Sequence, residues 1–106
     1  MAKQINLTYN GVDYTLEYNR SAVRAMESQG FVLEDMETKP MTIIPILVEG
    51  AFRMHHSNIK RSTIDEIFNS IGNKTDFYMA LGEMYADCVK SLMDDDEKNL
   101  EWKANF

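Results

Sequence analysis

A single cysteine, Cys88, excludes an internal disulfide and any cysteine-clustered zinc site, and fits a reducing compartment. Two prolines and five scattered glycines leave no glycine-rich phosphate loop and no proline-rich linker. No apolar run approaches the roughly 20 residues needed to cross a bilayer. The opening stretch MAKQINLTYNG has no apolar core of a secretory signal, so a soluble chain is expected. Basic residues are also short: 11 Lys and Arg against 17 Asp and Glu, a formal net charge of −6. Nucleic-acid binding rests on cations that neutralise phosphates, so this balance argues against it.

What remains is an ordinary globular composition, 44% hydrophobic and 26% charged, in 106 residues, which is one domain by length. Eight methionines stand out. Methionine fills gaps in cores and is also over-used on adaptable binding surfaces; most of the eight are expected in the core.

The stretch Thr42–His56, TIIPILVEGAFRMHH, is apolar on nearly every face and is expected to be a helix covered by the rest of the chain. Thr42 is its expected N-cap, with Pro45 in the first turn, where a missing N–H costs nothing. Upstream, Ile5, Leu7 and Tyr9 alternate with polar residues, as do Val12, Tyr14, Leu16 and Tyr18, around Asn10-Gly11. That dipeptide suits a two-residue turn with positive φ at both positions and predicts a hairpin pairing Tyr9 with Val12, Leu7 with Tyr14 and Ile5 with Leu16. Glu17 falls with Asp13 and Thr15 on the face turned to water.

Asn19 caps a short helix to about Gln29, and Gly30 with Phe31 suits a Schellman ending. Residues 32–40 read as an irregular loop. Ser62 and Asp65 form a short-armed capping box for a third helix carrying Ile64, Ile67, Phe68 and Ile71 on one stripe. A fourth helix runs to about Met93, with Phe77, Leu81, Met84, Tyr85, Cys88 and Leu92 inward and Met79, Ala80, Val89 and Met93 off that stripe. The expected fold is α+β: a hairpin over about 4–18 packed on helices over about 20–29, 43–56, 63–71 and 75–93. Residues 94–106, with five acids against two lysines, form an acidic tail ending in Trp102 and Phe106.

Candidate chemistry is thin. Adjacent helical residues point about 100° apart, so His55 and His56 cannot easily chelate one ion. Histidines also suit a helix C-terminus electrostatically, and that reading is favoured over a metal site. The run Asp94–Glu97 lacks the alternating ligands and glycine of a calcium loop. Cys88 sits on an inward stripe with no base in the sequence to activate it. No catalytic, cofactor or metal residue is assigned, and the chain is not expected to be an enzyme. The remaining readings against which this is weighed are a helix-turn-helix regulator and a metal-dependent enzyme using the two histidines.

The order of these pieces is itself distinctive: YTLEYNR…MESQGF at Tyr14–Phe31, GAFRMHH at Gly50–His56, then a helical half and EWKANF at the end. It resembles, over nearly the whole chain, the small tail assembly chaperones encoded by siphophages and prophages of Gram-positive bacteria. The resemblance implies a non-enzymatic protein of the bacterial host cytoplasm that coats the tape measure protein during tail assembly and is absent from the virion. In that role the acidic tail would keep the complex soluble or be read by a partner such as the tail tube protein, and homo-oligomerisation is left open. The rival reading is a head–tail connector or minor tail protein retained in the particle. A coating role calls for adaptable apolar surface, for which Met36, Met41, Tyr78, Met79, Val89, Met93, Trp102 and Phe106 are the candidate partner-binding residues.

Overall fold

The computed structural model describes residues 3–91 and 103–106. Its architecture is α+β, an N-terminal antiparallel hairpin followed by four α-helices. Strands β1 (Ile5–Tyr9) and β2 (Val12–Leu16) pair in the register set by the turn, with Ile5 opposite Leu16, Leu7 opposite Tyr14 and Tyr9 opposite Val12. Asn10 at φ 51° and Gly11 at φ 76° supply the two left-handed positions. One face of the hairpin meets the core through Ile5, Leu7, Tyr9, Tyr14 and Leu16.

Helix α1 (Arg20–Ser28) begins where Asn19 accepts the Ala22 N–H at 2.7 Å. It ends in a Schellman motif: Gly30 at φ 90° donates to the Glu27 carbonyl at 3.0 Å, and Phe31 donates back to Met26 at 3.1 Å. Phe31 is thereby folded into the core against Tyr85, ring centroids 4.7 Å apart.

Helix α2 (Pro40–Arg53) is the centre of the core, burying Ile43, Leu47, Val48, Gly50, Ala51 and Phe52. It starts before the expected position. Pro40 takes the first helical position, where its fixed φ is pre-organised and its missing N–H harmless. Thr42 is therefore inside the helix rather than capping it, and Pro45 lies in the interior. Pro45 cannot donate to the Met41 carbonyl, but Met41 is 89% exposed, so water can satisfy that oxygen. The preceding stretch is not wholly irregular: Leu33–Met36 forms a 3₁₀ turn. That turn packs on α4 at Gly82, where Leu33 Cδ1 and Met36 Cε lie 3.8 and 3.9 Å from the position a Cβ would take.

Helix α3 (Arg61–Ser70) also begins early, capped by the backbone of Lys60 with no side-chain bond, so the Ser62–Asp65 capping box does not form. Helix α4 (Lys74–Lys90) follows Asn73, which is left-handed at φ 56°. The expected extension of this helix to Met93 lies outside the described residues. Arg20 Nη2 donates to the Ser91 carbonyl at 3.3 Å, tying the end of α4 to the start of α1. Lys3 bridges Glu83 and Asp87 on α4 at 3.1 and 2.9 Å, an exposed arrangement that adds little stability. Among the described residues no helix is long and apolar enough to cross a membrane.

Candidate functional site

The chemistry-bearing side chains converge where α2 ends beside β2. A helix C-terminus leaves its last carbonyls without partners. Here the strand supplies one: Glu17 N–H donates to the Ala51 carbonyl at 3.0 Å. His56, just past the helix, returns the favour to the strand, its Nε2 accepting the Thr15 N–H at 3.0 Å. Accepting that bond requires Nε2 to carry no proton. The His56 ring stands edge-on to Tyr14 and Phe52, centroids 5.1 and 6.3 Å away.

Glu17 departs from expectation. The alternating pattern places it toward water, yet it is only 6% exposed. The strand ends at Leu16, so the alternation no longer governs Glu17, and the end of α2 closes over it. Its carboxylate accepts from Gln4 Nε2 and from His55 Nε2, each at 2.8 Å. These two bonds, His55 first, hold the Glu17 pKa below its ordinary value against the opposing effect of burial. The two histidines at the end of α2 thus fasten the hairpin to that helix. No local signal links Glu17 to His55, 38 residues on.

A carboxyl held ionised in the fold binds its proton less readily than in the unfolded chain, so stability rises with pH across its titration. The increment is complete above the unfolded value, about 4.3, and lost as pH falls through the lower folded value. Glu17→Gln is expected to reduce stability at neutral pH and to flatten the loss seen on acidification below about pH 4.5. Urea titrations of both proteins at neutral and acid pH measure this. Equal slopes would show that Glu17 does not contribute.

Cys88 is half-buried, and burial raises its thiol pKa, the opposite of an activated nucleophile. Tyr18 is likewise pushed up by burial, its phenol donating to the Leu47 carbonyl at 2.6 Å. Among the described residues no three His, Cys, Asp or Glu side chains gather as a metal site would require. A pocket of about 210 Å³ lies between α1, α2 and α3, with Met26 and Gly50 in its lining. Of the charged groups that line it, Glu49 and Arg61 pair with each other at 3.0 Å, and Arg53 is the third. None of the described partner-binding candidates lines this pocket.

Those candidates fall into three sets. Met41, Met79 and Phe106 are exposed, Met41 by 89% and Met79 by 67%. Met36, Tyr78 and Val89 are half-buried: Met36 and Val89 pack against the core, and Tyr78 stacks on Phe68 at 5.9 Å. Val89 therefore serves the core at least in part, because α4 buries a wider face than one stripe. Met93 and Trp102 lie outside the described residues. Sequence reasoning missed Val12, Val32 and Met54, which are also exposed. Val12, beside the hairpin turn, was legible as a strand-end residue that the core does not reach.

The family described as a domain of unknown function, DUF5055, matches residues 1–106, and the chain belongs to it. No curated protein and no solved structure matches the chain.

Proposed function

We propose that this chain is a non-enzymatic tail assembly chaperone that binds the tape measure protein during phage or prophage tail morphogenesis in the host cytoplasm. The resemblance at Tyr14–Phe31 and Gly50–His56 supplies the identity of the partner. The observation that carries the reading is the exposure of Met41 and Met79, two flexible apolar side chains left outside a core that buries Met26 and Met84. An amphipathic partner helix can be received by such adaptable side chains. The partly exposed Phe68–Tyr78 stack, next to Met79 in the chain, adds aromatic surface to the same region of α4.

Co-expression with a siphophage tape measure protein from the same phage or prophage, followed by affinity capture, tests the reading. The wild-type chain is expected to be recovered in complex. The Met41→Ser/Met79→Ser variant should lose most of the complex while keeping its helical circular dichroism, since exposed substitutions usually change stability by less than about 0.5 kcal/mol. Failure of the wild-type chain to bind, or full binding by the variant, would overturn it. Peptides of this chain in purified virions would favour a connector or minor tail protein instead.

A further inference from the structure

The two outer edges of the hairpin are treated differently. In an antiparallel ladder, residues of a widely spaced pair point their N–H and C=O groups away from the partner strand. The Thr15 N–H reaches His56 and the Glu17 N–H reaches Ala51, so these outward groups of the β2 side are covered by the end of α2. Thr15 pairs with Asn6, and Asp13 with Thr8. Asn6 and Thr8 must therefore point their backbone groups outward from the other edge of the sheet.

Among the described residues that second edge is open. The sheet has two strands, and among the described residues neither Asn6 nor Thr8 makes a backbone hydrogen bond to any other element. Both residues are exposed. Folded proteins guard such edges with charge, proline or a bulge. Residues 4–10, QINLTYN, contain no charge and no proline, and the register Ile5–Leu16 to Tyr9–Val12 runs without a bulge. The solvent-facing side chains turn away toward β2: Asn6 accepts from Thr15 Oγ1 at 2.9 Å, and Thr8 donates to Asp13 at 2.6 Å.

We propose that β1 is a self-association edge, pairing antiparallel with β1 of a second copy about a two-fold axis through Leu7. The sequence of the strand is self-complementary in that register. Asn6 faces Thr8 of the other copy in a hydrogen-bonded pair, twice by symmetry, so the four outward groups of each strand are satisfied. Ile5 faces Tyr9 and Leu7 faces Leu7, apolar against apolar, and these three residues are only half-buried within one chain. No charged residue meets another. A foreign strand would need the same neutral, alternating pattern; a second copy carries it already. The product is a four-stranded sheet, which relieves the marginal stability of a lone hairpin. Five residues a side make a small interface, so the dimer exchanges with monomer.

Light scattering coupled to size exclusion, run over a range of concentrations on the full chain, is the test. The wild-type mass is expected to rise toward twice the monomer value. Asn6→Lys/Thr8→Lys places like charges opposite each other twice and should weaken the dimer by on the order of tenfold. Asn6→Glu/Thr8→Lys alters the same two positions but sets opposite charges across the axis, and should restore the dimer. A wild-type chain monomeric at every concentration overturns the proposal. So does a dimer that the double-lysine variant leaves intact, and a failure of the Glu/Lys variant to restore association overturns the register through Leu7. The Glu/Lys variant also reports whether substitution at these positions preserves the fold.

Discussion

Phe52→Ala is expected to destabilise the chain by about 3–5 kcal/mol, the range for removing a large aromatic side chain from a packed interior. The ring is 1% exposed on α2, the helix about which the other elements are packed. Its partner across the helix–strand contact is Tyr14 of β2, 6.0 Å between centroids at 73°, an edge-to-face arrangement worth something beyond the area buried. The void cannot readily collapse. Glu17 and Thr15 are fixed to the end of α2 by the bonds to Ala51 and His56, which hold β2 at its present distance. The loss should therefore sit in the upper part of the range. A domain of this size has only about 5–15 kcal/mol in total. The melting temperature should fall by roughly 15 °C or more. Urea unfolding should show a lower midpoint at an unchanged slope. A loss below about 1.5 kcal/mol would mean that α2 is not the centre of the core.

How much of this was legible in advance depends on how local the determining interaction is. The hairpin register followed from Asn10-Gly11, because two left-handed positions in a two-residue turn leave one pairing. Both ends of α1 were equally local: a side-chain cap at Asn19 and a left-handed Gly30. The start of α2 was not. Pro40 and Pro45 each suit a first turn, and local chemistry separates them weakly. The helix starts at Pro40, which adds only the exposed Pro40, Met41 and Thr42 ahead of the buried Ile43, and the carbonyl that Pro45 cannot serve belongs to the solvent-facing Met41. The α3 start shows the same limit, a well-spaced Ser62–Asp65 pair bypassed for a backbone cap at Lys60.

The site was less legible than the fold for a related reason. His55 and His56 were singled out as residues, but their roles depend on partners about 40 positions away, and pattern carries no distance of that kind. Glu17 was placed on the wrong side because alternation holds only while the strand lasts. Met79 was identified as lying off the buried stripe, which needs only helical geometry, and it is exposed. Val89 was grouped with it, yet it packs on the core, because the width of a buried face depends on what lies over the helix.

Gly50 offers a second large effect, with a change of sign built into it. It sits in the middle of α2, where alanine would ordinarily be favoured by about 1 kcal/mol. A Cβ at this position would stand 2.5 Å from Met26 Sδ and 2.8 Å from its Cγ, distances at which something must move. Met26 is 1% exposed and closes the Schellman end of α1, so its side chain can yield only toward the pocket that it lines with Gly50, and only by leaving its packed position. Overpacking of this kind costs about 1–3 kcal/mol, which outweighs the helical gain. Gly50→Ala is therefore expected to be net destabilising by about 1–2 kcal/mol in the wild-type chain. Met26→Ala removes the obstructing atoms and carries its own cavity cost of about 2–5 kcal/mol. In that background Gly50→Ala meets no clash, keeps its helical advantage and fills part of the void, so it should become stabilising by about 0.5–1 kcal/mol. The four proteins of this cycle, unfolded in urea, give a coupling energy of roughly 1.5–3 kcal/mol. Additive effects would mean that α1 and α2 do not meet at this glycine, and with that contact would go the reason a flexible residue is kept in the most buried helix of the chain.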